Sequence, residues 1–131
     1  MLIKILLESE NPIYEQLRNQ IIEGIAKGTL KPGECLPSVR QLALDLGINL
    51  HTVNKAYQIL KQEGFFTIHR QKGVIINQKS EMQASERQIM KIKENLKPII
   101  VEAYSRGISL DRVLEICSKM YQNIQNGEEN I

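Results

Sequence analysis

The sequence predicts a mostly α-helical fold that carries one small β-hairpin. Three observations lead there. Apolar residues recur at helical spacing along most of the chain. Glycine or proline closes the successive repeats. Residues 65–76 alone are β-prone, with a glycine-containing break between two runs. The chain has 131 residues, of which 42% are hydrophobic and 24% charged, an ordinary soluble globular composition. That length holds one domain, or one small domain with an appended segment. No apolar run approaches the roughly 18 residues that a membrane span needs. The opening "MLIKILLES" is too short for a secretory signal, and no small-residue cleavage site follows it. The expected compartment is therefore the cytoplasm, with no membrane partner. Cys35 and Cys117 lie far apart and form no CxxC pair, so two buried or half-buried thiols are expected rather than a disulfide or zinc framework.

The first element after a short extended stretch is a helix over residues 12–27. Asn11-Pro12 marks its start, because the residue before proline avoids helical angles and proline suits the first turn. Ile13, Tyr14, Leu17, Ile21 and Ile25 form its apolar stripe, and Gly28 and Pro32-Gly33 end it.

The next two helices are short and close together. Ser38 and Gln41 make an S-x-x-Q capping box, followed by Val39, Leu42, Ala43 and Leu46 on one face. Gly47 suits the left-handed residue that closes this helix, and Asn49 caps the next. Val53, Ala56, Tyr57 and Leu60 repeat the same spacing up to Gly64. Two helices joined by a tight glycine turn form a helix-turn-helix. With the apolar set turned inward, and Tyr57 read as core with its hydroxyl at the edge, His51, Asn54, Lys55 and Gln62 project outward beside Thr52. A helix of this kind fits the major groove of DNA, its N-terminal residues nearest the base edges.

Two β-prone runs, Phe65 to Ile68 and Val74 to Ile76, flank "HRQKG", where Gly73 permits a hairpin bend. Such a hairpin behind a helix-turn-helix is a wing. His69, Arg70 and Lys72 at its tip would reach the adjacent phosphates or minor groove. The fold class is thus mostly α with a small β-wing. The net charge of +2 says little, but its distribution says more. Asp45 is the only acid between Ser38 and Lys61, and residues 65–79 contain none. A local basic face binds polyanions even when net charge is small.

Residues 11–77 resemble the winged-helix domain of the GntR superfamily of bacterial transcription regulators. The resemblance is carried by P-I-Y-E-Q-L from Pro12, G-x-L-x-P-G-E-x-L-P-S-x-R-x-L-A from Gly28 and T-V-x-x-A-Y-x-x-L from Thr52. It implies that Ser38 and Arg40 touch DNA at the start of the second helix. It also implies contacts from Asn49–Lys55 in the third helix and from the wing. Leu50 departs from those family members that carry arginine there, which shifts base readout onto His51, Asn54 and Lys55.

Beyond Asn77, "QKSEMQAS" is polar and reads as a hinge. Ile89, Ile92, Leu96, Ile99 and Ala103 then follow a heptad-like seam, in which Pro98 removes one backbone hydrogen bond and is expected to kink the helix. Ser109 caps a last helix with Val113, Leu114, Cys117, Met120 and Tyr121 on one face. The tail "NGEENI" is expected to fray. This gives a winged helix-turn-helix domain over 1–77 and a hinge plus two helices over 78–131. The short tail resembles the YtrA-type branch of the superfamily, which implies that the two helices dimerise. The seam's other use is to pack against its own winged domain, but two short helices leave too much apolar surface for that small partner.

Three function classes compete. The leading one is a sequence-specific DNA-binding regulator, read as a repressor, acting as a homodimer on a palindromic operator. An enzyme is disfavoured, because no acid pair, nucleophile–base set or phosphate loop has usable spacing. A winged helix that binds only protein has no need of both a basic third helix and a basic wing. Ser38 serves equally as a helix cap and a phosphate contact, and Arg40 has the alternative of a solvated surface residue. His51 has no second ligand at metal spacing, so neither metal nor cofactor is expected. A crevice between dimerised C-terminal helices leaves room for an unidentified small-molecule effector.

Overall fold

A computed structural model describes residues 3–128 of the chain. The chain separates into two compact units, Met1–Met82 and Gln83–Ile131. The first unit begins with α1, Ile13–Lys27, which buries Leu17 and Ile21 completely and packs on α3, Leu50–Gln62. The extended segment before α1 is held by two glutamines one helical turn apart. The Gln16 amide accepts from the Leu6 backbone N–H at 2.8 Å and donates to the carbonyls of Leu6 and Asn11. The Gln20 amide accepts from the Lys4 N–H at 2.8 Å and donates back to its carbonyl at 2.6 Å. Each side-chain amide thus takes the place of a strand neighbour's peptide.

The Arg18 guanidinium forks onto the Glu63 carboxylate at the far end of α3, with both N–O distances 2.7 Å. The hydrogen bond with Glu63 raises the arginine's pKa against the opposing effect of burial. A bidentate pair of this kind is both stronger and more directional than a single ionic contact.

The helix-turn-helix consists of α2, Val39–Leu46, and α3. Ser38 Oγ accepts from the Gln41 N–H at 3.1 Å, while the Gln41 side chain donates to Asp45 at 2.7 Å. Only the serine half of the expected capping box therefore forms, because Asp45 lies on the same face one turn on and takes the glutamine. Asn49 Oδ1 accepts from the His51 N–H at 2.8 Å and starts α3. Between the helices Gly47 sits at φ 66°, a left-handed angle that lets the Ile48 N–H close back onto the Ala43 carbonyl at 3.1 Å.

The wing is β2, Phe66–His69, and β3, Gly73–Ile76, antiparallel with His69 opposite Gly73. A third strand that the sequence pattern did not reveal, β1 at Cys35–Leu36, pairs with the other side of β3, giving the order β1-β3-β2. Leu36, Phe66, Val74 and Ile76 point from this sheet into the core, where they meet Leu17, Ile21, Leu30, Leu42, Ala43, Val53, Ala56, Tyr57 and Leu60. Lys79–Met82 forms a 3-10 turn within the polar stretch read as a hinge, and Met82 packs against this core.

The second unit consists of α4, Glu86–Ser105, and α5, Leu110–Gln125. A full capping box opens α4: Gln88 N–H donates to Ser85 Oγ at 3.2 Å, and Ser85 N–H to Gln88 Oε1 at 2.9 Å. The helix runs on through Pro98, which supplies no N–H to the preceding turn. Ser109 caps α5 by accepting from the Arg112 N–H at 3.2 Å. Neither helix contains a buried residue.

Both cysteines are free and exposed, which corrects the expectation of buried or half-buried thiols. Cys35 is on the outward side of β1, and Cys117 lies on the uncovered face of α5. No helix among the described residues is long and apolar enough to cross a membrane. Residues 129–131 of the tail expected to fray lie outside the described residues.

The Gly47 turn makes a quantitative test. A Cβ at Gly47 would meet nothing within 4 Å, so Gly47→Ala carries only the backbone cost of the left-handed angle, about 1–2 kcal/mol. Gly47→Asn should cost clearly less, since asparagine tolerates that region. Thermal melts followed by circular dichroism check this; equal losses for the two variants would place the cost elsewhere.

Candidate nucleic-acid interface

The candidate surface is built outward from the buried face of α3. Val53, Ala56, Tyr57 and Leu60 are all 0% exposed. At about 100° per residue their opposite face carries His51, Lys55, Gln58 and Gln62, all exposed. Orientation of the helix is fixed by Tyr57. Its ring meets Phe66 of β2 edge to face at 5.3 Å between centroids, and its hydroxyl donates to the Pro37 carbonyl at 2.8 Å. Burial pushes the phenol well above the usual tyrosine range, so it stays protonated and remains a donor. Through that bond α3 sets the position of the residues that start α2.

Two shallow clefts result. One, of about 470 Å³, is lined by Ser38, Val39, Arg40, Leu50, His51 and Asn54. The other, of about 480 Å³, runs from α3 to the wing between Ser38, Asn54 and Gln58 on one side and Ile68, Gln71, Lys72 and Gly73 on the other. Ser38, Val39 and Asn54 belong to both, so the two clefts form one continuous concave strip. Gln58 and Gln71 were not among the residues singled out from sequence. A polar residue on an exposed helix face or a hairpin tip carries no periodic signal that separates a lining position from a solvated one.

The remaining candidate residues are more dispersed. Asn49 is exposed, but its side-chain oxygen is occupied as the cap of α3. Thr52 is half-buried. Lys55 sets its Nζ 4.0 Å from the centre of the Tyr14 ring of α1, a cation–π contact. His69 and Arg70 are exposed on the wing but line neither cleft. Gly73 takes φ 82°, which turns the hairpin, and a Cβ there would approach Cys35 Sγ at 3.7 Å. Cys35 Sγ in turn donates to the Lys72 carbonyl at 3.3 Å.

The charge on this surface is one-signed. Arg40, Arg70 and Lys72 make no ion pair among the described residues. Asp45, the one acid between Ser38 and Lys61, is engaged by Gln41. Uncommitted cations beside exposed hydrogen-bonding side chains of a helix suit a polyanion with readable edges, as duplex DNA is. Among the described residues no group of three His, Cys, Asp or Glu could hold a metal ion.

Comparison with known proteins agrees with this geometry. Residues 11–76 match the model of the bacterial regulatory proteins, gntR family. The HTH-type transcriptional repressor YtrA of Bacillus subtilis (strain 168) is 37% identical over 122 residues, covering 93% of this chain and 94% of that protein. The crystal structure of a transcriptional antiterminator from Listeria monocytogenes EGD-e superposes with a TM-score of 0.88 at 29% identity, covering 98% of this chain and 96% of that one. YtrA from Sulfolobus acidocaldarius, a GntR-family transcription factor, gives a TM-score of 0.61 at 43% identity, covering 80% of this chain and 99% of that one.

Tyr57→Phe isolates the hydroxyl that ties α3 to α2. The variant keeps the aromatic pair with Phe66 and leaves the Pro37 carbonyl without its donor. A loss of about 1 kcal/mol in unfolding free energy is expected, seen as a lower melting temperature. An unchanged melt would show that the bond does not hold the two helices together.

Proposed function

The chain belongs to the gntR family of bacterial regulatory proteins, which are DNA-binding transcription regulators, and from that premise we propose that it is a repressor acting as a homodimer on a palindromic operator, with α3 in the major groove. The observation that carries this reading is the continuous strip from Arg40 and His51 through Ser38 and Asn54 to the wing. Ser38 and Arg40 meet the phosphate backbone at the start of α2. His51 and Asn54 present hydrogen-bonding groups to base edges, while Asn49 and Thr52 shape the start of the helix. Lys55, braced on Tyr14, serves the backbone on the α1 side. His69, Arg70 and Lys72 contact the neighbouring phosphates from a wing turned by Gly73.

The sign of regulation is supported by the similarity to the Bacillus subtilis repressor. The Listeria protein is described as an antiterminator, but an exposed helix face favours B-form DNA as ligand. The major groove of A-form RNA is too deep and narrow for it. A protein-only partner is disfavoured by the unpaired cations at the start of α2 and on the wing.

The homodimer is supported by the second unit. Its helices are amphipathic and contain no buried residue, and in proteins most helical stability comes from packing such a face. Leu96 is 46% exposed, Leu114 53% and Tyr121 72%. Ile89, Ile92, Ile99, Ala103, Val113, Cys117 and Met120 complete the two expected faces. Ile100, Val101 and Tyr104 add an exposed apolar strip of α4 outside the heptad-like seam. An isologous pairing would cover these faces. It would also set two α3 helices about 34 Å apart, in successive major grooves on one face of the duplex. A crevice in that pairing is the natural place for a small-molecule effector.

Three substitutions test the reading. Arg40→Ala should weaken specific DNA binding by roughly 1–3 kcal/mol; unchanged affinity in a folded variant would remove Arg40 from the interface. Lys72→Ala should weaken binding to all sequences about equally and lower the salt slope by about one unit, whereas a sequence-selective loss would mean that the wing reads bases. Leu96→Asp puts an unpaired charge into the proposed interface. It should sediment as a monomer, keep the circular dichroism of a winged helix and lose preference for a palindrome. A Leu96→Asp protein that stays dimeric and operator-specific would move the dimer contact elsewhere.

A further inference from the structure

We propose that Leu50 reads a base: its side chain is the apolar contact for the 5-methyl group of a thymine in each operator half-site. The inference rests on the DNA-binding reading above and deepens it. Leu50 is the first residue of α3, next to the Asn49 cap, at the end of the helix that comes nearest the base edges. The other large apolar residues on its side of α3, Val53, Tyr57 and Leu60, are fully buried, but Leu50 is 38% exposed. It opens into the cleft that also holds Ser38, Arg40, His51 and Asn54. Val39, half-buried against the core, lies in the same cleft. Leu50 and Val39 thus form an apolar spot within a rim of polar and cationic groups.

The rim and the spot ask for different things. Serine, arginine, histidine and asparagine are satisfied by phosphate oxygens and by the donors and acceptors of base edges. Leucine accepts none of these, and left against a polar base edge it would bury surface without a partner. The major groove offers one apolar group, the C5 methyl of thymine. Covering that methyl with Leu50 removes apolar surface from water on both sides. The same contact tells thymine from cytosine at that position, because cytosine presents a bare C5–H and an amino donor there. It would not tell thymine from 5-methylcytosine by the methyl alone.

Uracil tests this without altering the protein, since it pairs as thymine does and lacks only the methyl. The preferred site is first selected from random-sequence duplexes with the full chain. Each thymine of that site is then replaced singly by uracil. One thymine per half-site should be found at which wild-type affinity falls about fourfold, the equivalent of one buried methyl group. Leu50→Ala should bind the thymine and uracil duplexes alike, and Leu50→Met should keep the preference. The inference is overturned if no thymine shows the effect, or if the effect persists undiminished in Leu50→Ala. A selection that returns no preferred sequence would overturn the DNA-reading function itself, and this inference with it.

Discussion

A single buried phenol governs where the candidate DNA-binding surface lies. Tyr57 sits at the meeting point of α3, β2 and the chain entering α2, fully enclosed, and its hydroxyl is the only polar group it brings into that space. Enclosing a hydroxyl without a partner costs free energy, so the Pro37 carbonyl must come to it. That carbonyl immediately precedes Ser38, the cap of α2, and Arg40 follows within the first turn. The ring also meets Phe66, the first residue of the wing's leading strand, edge to face. One side chain therefore couples α3, the start of α2 and the base of the wing. These are the three pieces that the proposed DNA contact requires together.

The other end of α3 is held differently. Glu63, its C-cap, takes the fork of Arg18 from α1 in a half-buried pair. Packing holds the middle of the helix and the ion pair its far end, while the outward face stays exposed from Leu50 and His51 through Asn54 and Gln58 to Gln62. Lys55 belongs to the opposite flank, where Tyr14 of α1 gives its ammonium a face to rest on. The basic character of the surface comes from where acids are missing rather than from a large net charge, and Asp45, the one acid between Ser38 and Lys61, is hydrogen-bonded by Gln41.

Much of this was legible in the sequence. The spacing of Val53, Ala56, Tyr57 and Leu60 fixed both the helix and its outward face, and Ser38, Asn49 and Gly47 marked the boundaries through local chemistry that needs no tertiary context. What escaped depends on distant partners. β1 is two residues long and exists only because β3 pairs with it from far along the chain, so it leaves no periodic trace. Gln16 and Gln20 look like solvated helix residues, and their clamp on Leu6 and Lys4 appears only once the chain folds back. Gln41 was expected to complete a capping box, but a nearer carboxylate claimed it. The exposure of Cys35 and Cys117 was missed because cysteine is usually buried, and neither an edge strand nor an unpartnered helix provides cover. The lining role of Gln58 and Gln71 is likewise a property of the cleft, invisible in either residue alone.

The second unit poses the complementary problem, since its helices form with well-made caps yet leave their apolar faces in water. A pairing of two chains would resolve that cost and supply the spacing that a two-fold operator demands, so helix packing and DNA recognition become one geometric question. Hydroxyl-radical footprinting on a site selected from random duplexes addresses it most directly. Two α3 helices in successive major grooves predict two protected patches on one face of the duplex, centred about 34 Å apart and related by a two-fold axis. One isolated patch, or protection with no fixed phase, would contradict the account.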